Sequence, residues 1–373
     1  MPRLRLHFAF LPATVLSLTA TLPPAVRAQA ASAPTRVLPA TGLDFSGVDQ
    51  FWKIVDILST DAEPTEHQWR ALLSAPGYRL AETNLGPVMR RDLELTFRPA
   101  RHADFVRLVA DSSDHALRLA HLALAARERR ALVALRDSLA RGTPIADAVV
   151  RAARLLPPGA TSHGSPPLVA FAVFKDDAYS LPQGVVIDLL YAERVPLIAI
   201  LAHEFHHTYL NRLNRPVPPG PPAPDAALRD ALYNARNEGI ADQIDKPYPF
   251  VSPIPAMASY VARYNAEYAH TRQTLRQFDS LVSAIADDPR NMGDLGMSAQ
   301  MLLWSNGHPN GAYIAREIIQ TFGVDSLFPG IRDPAAFFRT YAAAERVHAR
   351  PSPFSAKTWR VVDALEAEYW RAQ

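Results

Sequence analysis

The chain has 373 residues, 48% of them hydrophobic, with 39 Lys and Arg against 37 Asp and Glu and a formal charge of +2. That is enough apolar material for one large core or two modest ones, and it excludes a disordered tail or a disulfide miniprotein. There is no cysteine, which removes disulfides, thiolate metal sites and a cysteine nucleophile, so any metal must be held by His, Asp or Glu.

Residues 1–30 run from a basic start at Arg3 and Arg5 through an interrupted apolar stretch to small residues at Ala28 and Ala30, the pattern of a secretory signal peptide. Pro12, Pro23 and Pro24 break that stretch short of the ~20 apolar residues a membrane span requires. Cleavage near Ala28 or Ala30 predicts an exported protein, periplasmic or secreted, with no stable membrane insertion afterwards. Loss of the three arginines Arg3, Arg5 and Arg27 moves the formal charge from +2 to −1. So neutral a chain has no basic footprint for nucleic acid, and the arginines of ARERRALVALRDSLAR alternate with apolar residues as on a solvated helix face.

Residues 31–43 read as a linker of small residues and prolines. From 44 to 155 apolar residues recur three and four apart, which predicts a helical N-terminal region, with Thr65 as an N-cap and Glu66 in the first turn that follows. DHALRLAHLALAARERRALVALRDSLARG predicts one long helix stopped by Gly142. After a Pro/Gly/Ser connector over 155–167, LVAFAVF and GVVIDLL predict two short strands, while FKDDAYS between them, with Asp176 and Asp177, reads as a turn. GVVIDLL fits equally an edge strand able to pair with a peptide or a buried core strand. Helical patterns then continue to the end: VPLIAILAHEFHHTYLNRL, DAALRDALYNARNEGIADQID beyond the proline-dense RPVPPGPPAP, and later PNGAYIAREIIQTFG and AAFFRTYAAAERV. The expected fold is mainly α with a small β-sheet (α+β), its chemistry carried by the region 168–373.

That chemistry centres on HEFHH. His203 and His207 are four residues apart, so on a helix they share one face and both rings can reach one cation, with Glu204 one step around. Pro196 suits a first helical position, and the apolar approach from Leu197 to Leu201 implies that the histidine turn is half buried, where imidazoles and a carboxylate are costly unless paired or metallated. A His203–His206 pairing is also geometrically possible, but His203 with His207 leaves Glu204 free beside the metal; His206 then reads as a partly exposed or supporting residue. Zinc needs a third protein ligand and an open fourth position. Glu238, 31 residues after His207, lies on a second helical pattern and completes a His-His-Glu set. Asp242, one turn further on, could accept a hydrogen bond from a liganding imidazole, most naturally His203. Gly239 makes sense if two helices approach closely beside the carboxylate.

HEFHH followed by NEGIAD resembles the gluzincin zinc metallopeptidases, in which an HExxH helix is followed by a glutamate helix carrying ExxxD. The resemblance implies one zinc ion per chain on His203, His207 and Glu238, with Glu204 as general base and Asp242 supporting the ligands. The chain after its leader is also similar, through the strand before HExxH, the NEGIAD helix and GHPNGAYIAREI, to an uncharacterised bacterial family of zinc-dependent peptidases. The implied activity is hydrolysis of a peptide or protein substrate by a zinc-activated water, Glu204 taking the water proton and delivering it to the leaving amine. The developing oxyanion needs a further donor; Tyr313 and His308 in GHPNGAYIAREI are the first candidates, followed by Tyr260, Tyr264 and Tyr268. The competing expectation is a non-peptidase binding or scaffold protein with a structural or vestigial metal site, which would have no use for Glu204.

Overall fold

The computed structural model describes residues 42–371 apart from 86–87, 112, 163 and 215–222. The signal-peptide reading of residues 1–30, nearly all of the linker 31–43 and most of the proline-dense RPVPPGPPAP therefore lie outside the described residues. The chain is mainly helical with a small mixed sheet, as expected.

Strand β1 (Leu43–Asp44) leads into helices α1 (Ser46–Leu58), α2 (Glu66–Leu73), α3 (Pro76–Leu85), α4 (Val88–Phe97), α5 (His102–Val109), α6 (Asp114–Arg127), α7 (Arg129–Arg141) and α8 (Pro144–Ala153). Thr65 caps α2 as expected, in a reciprocal capping box with Gln68, which satisfies two amides that a helix start otherwise leaves open. The long helix expected over 114–141 is broken instead. Glu128 has φ −89° and ψ 9°, and the chain restarts there because the two halves bury different faces, α6 against α4 and α7 against α9 (Leu189–Arg194). Gly142 ends α7 as expected.

Three strands follow: β2 (Val169–Ala172), β3 (Ala178–Leu181) and β4 (Gly184–Asp188), in the sheet order β1-β2-β4-β3. β2 is parallel to β1 and β4, and β3 is antiparallel to β4, with Ala178 opposite Ile187. Every residue of β2 and β4 is buried, which is why LVAFAVF and GVVIDLL read as apolar runs. GVVIDLL is thus an interior strand. The edges are β1 and β3, and the turn expected over FKDDAYS did not anticipate β3: AYSL is half-buried throughout and carries no apolar run to reveal it.

After α9 come α10 (Leu197–Leu213), α11 (Ala226–Asp245), α12 (Ala258–Ala269), α13 (Thr271–Asp287), α14 (Met292–Leu302), α15 (His308–Phe322), α16 (Phe328–Arg332), α17 (Pro334–Val347) and α18 (Ala356–Leu365). The N-terminal helices and the region from Leu168 onward share one hydrophobic core within a single unit, Pro39–Gln373. Helix α8 packs along α10, and α10 packs in turn against β3 and α11. The N-terminal half thereby buttresses the helix that carries HEFHH. No helix among the described residues is long and apolar enough to cross a membrane.

Candidate metal centre

Helix α10 starts after Pro196, whose carbonyl accepts from the Ala199 amide at 2.8 Å; proline is the residue before the helix rather than its first turn. The apolar residues that follow anchor α10 in the core, so His203 and Glu204, at 5% and 6% exposure, arrive at a nearly dry wall. Helix α11 runs alongside. His207 Nε2 stands 3.0 Å from His203 Nε2, and Glu238 Oε2 lies 3.5 Å from His203 Nε2 and 3.1 Å from His207 Nε2. Ligands held tetrahedrally on zinc at ~2.0–2.2 Å stand about 3.3–3.6 Å apart, so the observed spacing is close to what one zinc ion requires. These residues form one of the two groups among the described residues able to hold a metal; the other, His203 with Asp242 and Asp245, reuses the same histidine.

The support of that triad differs from the expectation. The carboxylate against His203 Nδ1 is Asp245 at 2.8 Å, while Asp242 stands back at 3.7 Å. Asp245 is seven residues, two turns, beyond Glu238 and so on the same helix face; that spacing was a signal available in the sequence. An ionised Asp245 accepts from Nδ1–H, which turns the lone pair of Nε2 towards Glu238 and His207. Asp242 is fully buried and oriented elsewhere: both its oxygens lie 3.0 Å from His308 Nδ1, and Tyr264 donates to it at 2.9 Å. Lys246 ties the two acids together, its Nζ donating to Asp242 at 2.7 Å and to Asp245 at 3.0 Å.

Burial opposes charge on all of these groups, yet their mutual contacts prevail. His203 is held well above the ordinary imidazole range despite its burial, chiefly by Asp245. Against the same burial, His207 and His308 hold Glu238 well below the carboxylate range. Asp242 and Asp245 are also lowered against burial, foremost by His308 and by His203 respectively, with Lys246 next in both cases. Glu204 moves the opposite way. Burial raises it, with Glu238 and Asp177 adding to the rise and His203 and His207 opposing it. A carboxylate made more basic thus stands in the cleft beside the triad without being part of it.

His308 reaches the site from the far side. Gly239 and Gly311 lie where α11 crosses α15, so closely that a Cβ on Gly239 would run into the Gly311 backbone and one on Gly311 into the Ala235 carbonyl. The expected close approach is therefore real, and α15 is the partner. Ser305, Asn306 and Gly307 precede α15 with φ of 53°, 54° and 80°, a left-handed run that non-glycine residues rarely adopt. This turn aims His308, whose Nε2 lies 3.3 Å from Glu238 Oε2. His203, Glu204, His207, Glu238, His308 and Tyr260 face one cleft, with Ala178, Tyr179 and Ser180 of β3 along its rim.

Two expectations are corrected. Tyr313 does not line this cleft; its ring packs between Tyr268 and Tyr341, because it sits five residues past His308 and so on another face of α15. His206 is fully buried rather than partly exposed, and burial, with the nearby His207 and His203, keeps it far below the usual histidine range despite the Leu155 backbone. It is a buried core residue that does not line the cleft. Of the candidate tyrosines Tyr260, Tyr264, Tyr268 and Tyr313, Tyr260 lines the cleft, its hydroxyl 3.4 Å from Ser305 Oγ.

No curated protein and no solved structure matches the chain. A family model does, over residues 69–348, which include most of the N-terminal helices together with α10, α11 and the turn that carries His308. By that match the chain belongs to the family described as "Putative zinc dependent peptidase (DUF5700)".

Proposed function

We propose that this member of the family is an exported metallopeptidase of the gluzincin type, which hydrolyses peptide bonds with one zinc ion held by His203, His207 and Glu238. The observation that carries the reading is the convergence of three ligand atoms at 3.0, 3.1 and 3.5 Å from one another, with Glu204 beside them in the same cleft. When bound, zinc would supply a water of lowered pKa and polarise the scissile carbonyl. The protein supplies the rest. Asp245 fixes His203, Glu204 takes the water proton and passes it to the leaving amine, and His308, oriented by Asp242, donates to the developing oxyanion, with Tyr260 next to it. β3 is an edge strand of the sheet beside the cleft, the place at which an extended peptide would add antiparallel through main-chain hydrogen bonds. Export rests on residues 1–30, whose basic start, apolar stretch and small residues fit a cleaved leader.

The test is elemental analysis of the purified protein together with digestion of a peptide library, for wild type and Glu204→Gln. One zinc per chain in both, with hydrolysis in wild type alone, is the expected result. Equal zinc with no hydrolysis in either would favour the scaffold reading, and persistent hydrolysis in Glu204→Gln would overturn the assignment of the base.

A further inference from the structure

The cleft continues beyond the metal triad. One turn after His207, Asn211 accepts a 2.8 Å hydrogen bond from the Tyr233 hydroxyl, and past this bridge lies a second cavity of about 550 Å³. Ser180, Asn211 and Tyr233 line both spaces, so the second is an extension of the first. Its walls carry Arg212, Arg229, Arg236 and Arg332 against one acidic residue, Asp230, among the described residues.

Arg236 is the informative member. It is fully buried, its Nη1 donates to the Ile331 carbonyl, and its Nε and Nη2 have no hydrogen-bond partner among the described residues. Those two donors form one side of the guanidinium fork, the edge that binds a carboxylate through two parallel hydrogen bonds. The Tyr233 ring lies 4.8 Å from the guanidinium carbon and holds its plane. The acid that acts on it, Asp333, is already engaged in capping α17 through the Ala335 amide at 2.8 Å. Burial pulls the guanidinium down to about 10, which leaves it charged at neutral pH. A buried cation with an open bidentate edge is costly until an anion meets it.

We propose that this cavity is a substrate subsite for an acidic side chain of the peptide, its carboxylate received by the open edge of Arg236 within the field of Arg229 and Arg332. The inference rests on the peptidase reading. Direction follows from β3: Ala178 and Tyr179 border the metal cleft, while Leu181 and Pro182 border the arginine cavity. A peptide antiparallel to β3 therefore places in this cavity a residue on the N-terminal side of the scissile bond. The carboxylate is accordingly that of a Glu or Asp side chain rather than the peptide's own C-terminus.

The test uses N-acetylated, C-amidated peptides in which Glu or Gln is placed in turn at each position upstream of the cleaved bond, and one Gln peptide with a free C-terminal carboxylate. Wild type should prefer Glu at one or two upstream positions by at least about tenfold in kcat/KM, as a charge-assisted pair warrants. In Arg236→Met that preference should fall to near unity, mainly through KM. Because Arg236 is buried, Arg229→Gln and Arg332→Gln serve as further variants, each expected to lower the Glu-over-Gln ratio. Equal cleavage of Glu and Gln peptides by wild type, or a preference untouched in all three variants, would overturn the proposal. A preference for the free C-terminus alone would assign the cavity to a terminal carboxylate instead. Calorimetric binding of the same peptides to Glu204→Gln separates the two readings. Tighter binding of Glu peptides without hydrolysis by wild type would break the peptidase assignment and keep the subsite, whereas hydrolysis without any Glu preference would do the reverse.

Discussion

Two clusters of histidine and carboxylate buried among the described residues differ in where their valences end. At the end of the sheet, His121 of α6 places Nε2 3.0 Å from Asp188 and Nδ1 3.4 Å from Asp176. The oxygens of Asp188 also accept the amides of Phe174 at 2.6 Å and Tyr191 at 2.8 Å, which ties β2, β4 and the start of α9 to α6. Both ring nitrogens of His121 face carboxylates, Nε2 at hydrogen-bonding distance and Nδ1 in a looser ion pair without a hydrogen bond. In the cleft, each Nδ1 of His203 and His308 is held by an acid while each Nε2 remains directed at Glu238. Burial of histidine beside aspartate is therefore not in itself a sign of chemistry. The sign is a set of donors, fixed from behind, whose free ends meet.

The comparison can be broken most forcefully at Glu204. In Glu204→Gln, peptide hydrolysis should fall by ~10²–10⁴-fold, the usual worth of one positioned proton-transfer group, while zinc content measured by elemental analysis stays at the wild-type level. In the other cluster the opposite pattern is expected. Asp188→Ala leaves His121 without its principal counter-ion and should cost about 3–5 kcal/mol in denaturant unfolding, with zinc per folded chain unchanged. Loss of zinc affinity in that variant would show that the two clusters are not independent.

A finer division runs through the cleft. Asp245→Asn should weaken zinc binding roughly 10–100-fold in a competition titration, since it loosens the acceptor of a liganding ring. Asp242→Asn should leave zinc affinity near wild type and lower kcat, because its imidazole is His308. The reverse assignment would restore Asp242 as the partner of His203. The smallest effect expected is on pH dependence. His121 stays buried yet is raised to about 10, with Asp188 and Asp176 outweighing burial, against ~6.5 in the unfolded chain. A group whose folded value is the higher one stabilises fully below the unfolded value and loses that contribution as pH rises through the folded one. Unfolding midpoints should therefore decline between pH 7 and 10 in wild type, and less steeply in His121→Gln.

The amino-acid sequence by itself determined what is local. Spacing of four residues at 3.6 per turn aligned His203 with His207, and a twenty-residue pattern carried Glu238 on a second helix. The apolar runs of β2 and β4 declared themselves because both strands are buried throughout. Tertiary structure decided what depends on packing between distant elements. The polar strand β3 exists only as a partner of β4, and the break at Glu128 reflects the different neighbours of α6 and α7. His308 and Tyr313 were equivalent as letters in one motif; the glycine crossing of α11 and α15 set one over Glu238 and left the other among aromatic rings. Asp242 and Asp245 likewise lie on one helix at spacings that both suit an imidazole, and only the positions of His203 and His308 settle which acid serves which ring. Helical periodicity fixes the side on which a residue emerges, but the groups it meets there are brought by segments remote in the chain.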